Sequence, residues 1–173
     1  PPRSIPAECS IRGGIFHVVS AALNSRDRVL VFVDTHNLLA ADDAFDQDKQ
    51  AGARAWLQAL WEQRAGRIST QVLNEYYVLV TQKFAMPAGD ARAKVRRFQL
   101  WQPWQIDHQT VETAGGVEAR FGLQYPDALM VASAAQSGAS HVLTSSLPHL
   151  QPIDGVTIVN PFMAKSFELG LGT

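Results

Sequence analysis

The sequence is poor in cysteine and lacks any long apolar run. Its single cysteine among 173 residues, Cys9, excludes an internal disulfide framework and a zinc site built on several thiolates. No stretch approaches the ~20 consecutive apolar residues of a membrane span, so we expect no membrane partner. Charged residues make up 18%, and the formal net charge is −1, so neither sign dominates. The overall charge therefore argues neither for nor against a nucleic-acid partner.

Internal repeats, low-complexity runs and domain linkers are also missing after Arg28. A chain with 46% hydrophobic residues suits one compact domain. The first 27 residues differ, because they carry three prolines and a glycine pair and match a signal peptide poorly. We predict a poorly ordered or loosely packed leader over 1–27, one domain over 28–165 and a C-terminal tail over 166–173.

The strongest local pattern is a run of five apolar residues, from Val29 to Val33. Such a run is typical of a strand that is buried on both faces, as in a parallel sheet. It ends at Asp34, and ligands collect at the carboxyl ends of parallel strands. A charge at that position is unfavourable unless it is solvated, paired or bound to metal. Asp34 is therefore the first candidate site residue.

Helical spacing and capping residues predict the remaining elements, with Asp46 as the cap of the first helix and Ser69 or Thr70 as the cap of the second. Helices are expected at about 47–65, 71–84, 90–100, 109–121 and from 125 to just before Gly138, with short strands at 67–69, 104–106, 141–145 and 156–159. A polar loop with Asp42, Asp43 and Asp46 is expected after the first strand, and Gly66 is expected to end the first helix. Strands that alternate with helices predict an α/β fold, with a parallel central sheet and helices on both faces.

Two more carboxylates are predicted at the same edge of the sheet. Glu75 lies early in a helix that follows a strand, and Asp127 lies in the first turn of another helix. Taken singly, Glu75 fits a solvated helix residue, and Asp127 fits a first-turn acid that the helix dipole favours. Two such charges 4 Å apart repel by roughly 4 kcal/mol at an effective dielectric of 20, unless they protonate or hold a cation. Oxygen ligands select Mg²⁺ or Mn²⁺, and such a site suits phosphodiester hydrolysis.

Four segments of the sequence resemble the PIN domain, and more narrowly the VapC-type ribonuclease toxins. They are V-F-V-D-T-H-N-L-L-A, S-T-Q-V-L-N-E-Y-Y-V-L-V-T, F-G-L-Q-Y-P-D-A-L-M-V-A-S-A-A and a stretch that begins H-V-L-T-S-S-L-P-H-L. The resemblance covers about 28–162 in the family's order. It implies a parallel sheet and a cytoplasmic endoribonuclease that depends on Mg²⁺ or Mn²⁺ and cleaves RNA. It also implies an antitoxin partner, and a homodimer is a further expectation.

The resemblance assigns roles to the three acids. Asp34 matches the aspartate of the family's D-T-N motif, Glu75 the glutamate after the second strand, and Asp127 the aspartate of its D-A-L segment. We therefore expect these three residues to be catalytic and to bind the metal. The family's fourth acid, in a segment like S-E-D-L, is replaced by Ser146, with Ser145 in the place of its acidic neighbour.

These departures put turnover in question. A hydroxyl at Ser146 brings no charge, although three carboxylates suffice for one Mg²⁺ with its waters. Thr35, His36 and Asp43 are candidate supporting residues. His36 stands where the motif has asparagine and either replaces its hydrogen bond or ligates metal, while Asp43 either compensates for the missing acid or is a loop residue.

Support for RNA binding is weaker. A phosphate track or a solvated helix face fits the basic residues Arg92, Lys94, Arg96 and Arg97, and base stacking or the core fits Trp101 and Trp104. Two functions follow from these patterns. The chain is a metal-dependent endoribonuclease toxin, active or attenuated, or it is a catalytically dead PIN-fold module that binds RNA or an antitoxin-like protein.

Overall fold

A computed structural model describes residues 29–172, and the predicted leader over 1–27 lies outside them. The described residues form a five-stranded sheet surrounded by six helices. The strands are β1 Val31–Val33, β2 Gly66–Arg67, β3 His141–Leu143, β4 Pro152–Ile153 and β5 Val156–Val159. The helices are α1 Thr35–Asp42, α2 Gln47–Glu62, α3 Thr70–Lys83, α4 Ala88–Phe98, α5 His108–Phe121 and α6 Tyr125–Gln136. Short 3₁₀ helices cover Gln99–Trp101 and Ser166–Leu169.

The strand order is β2-β1-β3-β5-β4, and the pairs β1–β2, β1–β3 and β3–β5 are parallel. The predicted α/β fold with a largely parallel sheet is confirmed, and β4 adds an antiparallel edge that was not predicted. From β1 the chain moves to β2 on one side and later returns to β3 on the other. The strand order therefore reverses between β1 and β3, which opens a crevice at their carboxyl ends.

The apolar run at the start of the domain forms the centre of the core. All three residues of β1 have no exposed surface, as expected for a strand covered on both faces. Its last residue, Val33, pairs with Leu143 of β3, so the two strands end side by side. The residues that follow these strands, at 34 and 144, therefore meet at one edge of the sheet.

Side-chain caps begin several helices where the sequence predicts them. Asp46 accepts a hydrogen bond from the backbone of Lys49 at the start of α2, and Ser69 accepts one from Val72 at the start of α3. Each bond satisfies a backbone N–H that has no partner within its helix. Gly122 ends α5 in the left-handed conformation, with φ 65°, which a residue without Cβ adopts freely.

The polar loop predicted to hold Asp42, Asp43 and Asp46 is correct from Asp43 onward, but Asp42 and the residues before it form a helix that was not predicted. Asp34 is the N-cap of α1, which runs from Thr35 to Asp42. Leu38 and Leu39 are buried on this helix, so tertiary packing stabilises it despite the acidic residues at its end.

Two other boundaries also differ from the prediction. The first predicted helix, α2, ends at Glu62, and Gly66 belongs to β2 instead of ending the helix. A Cβ on Gly66 would lie 2.6 Å from the Trp101 ring, so close packing explains the glycine. The strand predicted at 104–106 reduces to one bridge, between Trp104 and Ser69.

The C-terminal residues pack on the domain. The 3₁₀ helix Ser166–Leu169 contacts α2, and Leu171 is buried among core residues. The division between domain and tail at residue 165 stays a prediction. No helix within 29–172 has the length and apolarity needed to cross a membrane.

Candidate active site

The predicted site residues lie just after two strands and in the first two turns of two helices. Asp34 follows β1 and is 7% exposed, and Ser146 follows β3. Asp127 lies in the first turn of α6, and Glu75 lies in the second turn of α3. Since β1 and β3 are adjacent and parallel, Asp34 and Ser146 share the crevice where the strand order reverses.

A chain of hydrogen bonds joins Asp34 to Asp127. The Thr144 hydroxyl donates to Oδ2 of Asp34 at 2.8 Å, and the Ser146 hydroxyl donates to Oδ1 of Asp127 at 2.9 Å. The two hydroxyl oxygens lie 2.9 Å apart, and the Ser146 backbone N–H donates to the Thr144 hydroxyl at 3.1 Å. The structure therefore brings Asp34, Asp127 and Ser146 together, as the sequence predicts.

Glu75 reaches the same region through the residue after Asp34. The Thr35 hydroxyl donates to Oε2 of Glu75 at 2.8 Å. The Gln71 amide, one turn earlier on α3, donates to Oε1 of Glu75 at 2.8 Å. Both oxygens of Glu75 are thus held by uncharged donors, and a supporting role for Thr35 in the site stays a prediction.

His36 lies at the rim of the crevice. Its side chain is 68% exposed, and Nδ1 is 3.2 Å from Oδ2 of Asp34. This hydrogen bond raises the pKa of His36, against a smaller lowering by burial, and the charges of Asp34 and Glu75 raise it further. The geometry matches the hydrogen-bonding role considered for His36, and metal ligation stays a prediction.

Asp43 is not brought to the site. It follows the last residue of α1, and the eight residues of that helix span about 12 Å from Asp34. Its carboxylate accepts a hydrogen bond from the backbone of Phe45.

The neighbouring Asp42 accepts a hydrogen bond from the Tyr76 hydroxyl at 2.5 Å and forms an ion pair with Lys94. Both contacts lie beside an open groove of about 590 Å³.

The three arginines of α4 form no ion pair with Asp34, Glu75 or Asp127. Arg92, Arg96 and Arg97 are exposed, and the Arg97 guanidinium stacks 5.2 Å from the centre of the Trp61 ring. Trp101 is 5% exposed and packs 4.8 Å from Trp61, so of the two roles considered it takes the core role. An RNA-binding role for the three arginines stays a prediction.

Comparison with known proteins identifies the family. The PIN domain family matches residues 31–145, more than half of the chain. The chain belongs to the PIN domain family. A comparison with curated proteins found no significant match.

Three solved structures resemble this PIN domain. DNA-bound VapBC from Salmonella typhimurium is 20% identical, with a TM-score of 0.53, and the match covers 76% of this chain and 97% of the other. The sarcin-ricin loop cleaving toxin VapC20 of Mycobacterium tuberculosis is 19% identical over 65% of this chain and 86% of the other, with a TM-score of 0.49. VapBC2 from Rickettsia felis, bound to a promoter DNA fragment, is 14% identical over 75% and 97%, with a TM-score of 0.49. At these identities the Salmonella typhimurium structure supports the fold alone.

Two residues that contact the candidate site residues were missed in the sequence. Thr144 is completely buried and fixes Asp34, and Gln71 fixes Glu75. Thr144 carries the same signal as Asp34, because it is the first polar residue after a buried strand. Gln71 lies four residues before Glu75, at the spacing that brings helical side chains into contact.

The donors of this site fit a hard cation in kind and in charge. They are carboxylate and hydroxyl oxygens, and the described lysines and arginines form no ion pair with Asp34, Glu75 or Asp127. As the side chains stand within 29–172, no three His, Cys, Asp or Glu residues are grouped closely enough to hold one ion. An ion held here would therefore take one or two carboxylates and complete its shell with water, which is usual for Mg²⁺.

Proposed function

We propose that this PIN domain is an endoribonuclease that depends on Mg²⁺ or Mn²⁺ and is attenuated at Ser146. One observation carries the proposal: hydroxyls of Thr144 and Ser146 link Asp34 to Asp127 in the crevice between β1 and β3. Side chains from distant parts of a PIN-family chain therefore converge at the position where α/β folds bind ligands.

Each residue of the crevice has a distinct part in this proposal. The bonds from Thr144 and Ser146 occupy one oxygen of Asp34 and one of Asp127, which leaves the second oxygen of each for other contacts. Asp34, Asp127 and Glu75 would attract the metal, with one or two of them bound to it directly and the others acting through its waters. The metal would supply a more acidic bound water and would offset negative charge on the phosphate. Thr144 orients Asp34, and Thr35 orients Glu75, so the carboxylates are fixed before RNA binds.

Attenuation follows from the chemistry of Ser146. Its hydroxyl donates to Asp127, whereas an acid at this position would add negative charge to the crevice. Phosphodiester cleavage requires charge balance at both the attacking and the leaving oxygen. Without the fourth acid, a second cation beside the first lacks a charged ligand.

We further propose that the chain is a cytoplasmic toxin of a toxin–antitoxin module, with an antitoxin as its protein partner. Its resemblance to VapC-type toxins supports this, as does the VapBC assembly from Salmonella typhimurium that shares its fold. The RNA substrate and the homodimer stay predictions.

A cleavage assay on structured RNA with Mg²⁺ or Mn²⁺ tests the enzymatic proposal. We expect feeble cleavage by the natural sequence and faster, metal-dependent cleavage by Ser146→Asp. Asp127→Asn is the inactive control, and Ser145→Asp tests whether a charge at the neighbouring exposed position has the same effect. Strong cleavage by the natural sequence would show that Ser146 is not a catalytic loss.

The second candidate function is a catalytically dead module that binds RNA or an antitoxin-like protein. The observation that favours it is the uncharged Ser146 beside Asp127. In that case Ser146→Asp gains nothing over Asp127→Asn in the cleavage assay, and all variants still bind the RNA or the partner.

A further inference from the structure

Glu75 is half-buried, and both of its carboxylate oxygens accept hydrogen bonds from uncharged side chains. Gln71 donates to one of its oxygens and Thr35 to the other, each at 2.8 Å. The described lysines and arginines form no ion pair with it. Glu75 is therefore fixed at both oxygens by neutral donors, and neither donor neutralises its charge.

The orientation of the Gln71 amide follows from this contact. An ionised carboxylate only accepts hydrogen bonds, so the amide nitrogen of Gln71 must face Glu75. Its amide oxygen then points away, and it is buried without a partner among the described residues. An unpartnered buried acceptor is unfavourable, so the contact with Glu75 dominates the placement of this side chain.

We propose that Gln71 is a positioning residue for Glu75, which it orients through a neutral donor that leaves the carboxylate charge available to a divalent cation. This inference rests on the proposed metal-dependent function. A lysine or arginine at the same place would also orient Glu75, but it would compensate the charge that attracts the metal.

The chain provides a matched control for this contact. On α2, the Gln58 amide donates to Oε1 of Glu62 at 2.8 Å, with the same four-residue spacing as Gln71 and Glu75. That pair is exposed on a different helix, so it reproduces the local helix chemistry outside the crevice. Changes at Gln58 therefore measure what the contact alone contributes to the stability of a helix.

Calorimetric titration with Mn²⁺, together with thermal unfolding in metal-free buffer, tests the inference. Gln71→Leu should weaken Mn²⁺ binding about tenfold, the size typical of losing a residue that orients a metal ligand. Gln71→Lys should keep the contact and the melting temperature but weaken Mn²⁺ binding at least as much. Gln58→Leu and Gln58→Lys should bind Mn²⁺ as the natural chain does, and Glu75→Gln gives the effect of losing the carboxylate itself.

The outcomes separate this inference from the function on which it rests. Weaker binding by both Gln71 variants, with melting temperatures like those of the Gln58 variants, supports it. If Gln71→Lys binds Mn²⁺ as tightly as the unmodified chain while Gln71→Leu does not, the contact with Glu75 matters but the neutrality of the donor does not, and the inference is overturned. Unchanged affinity in both variants, with weakened binding in Glu75→Gln, overturns the inference and leaves the metal site standing. Absence of Mn²⁺ binding in the natural chain overturns both.

Discussion

Ser146→Asp should destabilise the metal-free protein, and the size of the effect follows from the crevice geometry. The Ser146 hydroxyl is 2.9 Å from Oδ1 of Asp127, so a carboxylate there lies about 4 Å from the Asp127 charge. Such a pair repels by about 1 kcal/mol in water and about 4 kcal/mol at a dielectric of 20. Ser146 is exposed and Asp127 half-buried, which favours the lower part of that range, about 1–2 kcal/mol.

Thermal unfolding with EDTA or with Mn²⁺ measures this effect. In a domain of this size 1 kcal/mol shifts the melting temperature by about 2–4 °C, so we expect a loss of about 2–8 °C in EDTA. Mn²⁺ at a hundred times its dissociation constant stabilises by about 2.7 kcal/mol and should reverse the loss. Ser146→Asn and Ser145→Asp are the controls for size and for charge. If Ser146→Asp unfolds in EDTA at the same temperature as Ser146→Asn, the two carboxylates are not coupled and the proposed crevice is wrong.

Three other substitutions test separate parts of the structure. Asp34→Asn should abolish Mn²⁺ binding in calorimetry. The metal-free melting temperature should stay unchanged or rise, because the asparagine amide oxygen still accepts a hydrogen bond while repulsion between carboxylates falls. Equal Mn²⁺ binding by the variant and the unmodified chain would remove Asp34 from the site. Tyr76→Phe should cost about 1–3 kcal/mol in urea unfolding, since Asp42 loses a buried donor, with Mn²⁺ affinity unchanged. Gly66→Ala should cost about 1–3 kcal/mol, because its Cβ overlaps the Trp101 ring, and a stable variant would contradict that packing.

Much of the fold could be predicted because local signals carried it. The apolar run before Asp34, the caps Asp46 and Ser69, and Gly122 in the left-handed conformation each act within a few residues. Helix α1 was missed because its stability comes from burial against other elements, which the acidic residues at its end conceal. The edge strand β4 was missed because it has two residues, one of them a proline.

The candidate site was predictable to a similar extent. Asp34, Asp127 and Ser146 were placed together from motif order and strand topology, and hydrogen bonds join them in the structure. The orienting role of Thr144 could not be read from spacing, because it acts on a residue 110 positions away. Asp43 lies near Asp34 in the sequence, but an intervening helix carries it away.

The two sides of the crevice are far apart in the sequence, so they are synthesised at different times. Asp34 is made first, and its partner Thr144 follows 110 residues later. At 5–20 residues per second, translation of that interval takes roughly 5–20 s. Throughout that time β1 has no β3 beside it, and neither hydroxyl of the Asp34–Asp127 link exists. The hydrogen-bonded crevice can therefore form only after Ser146 has been synthesised, so any chemistry that depends on it is confined to chains that have passed this point.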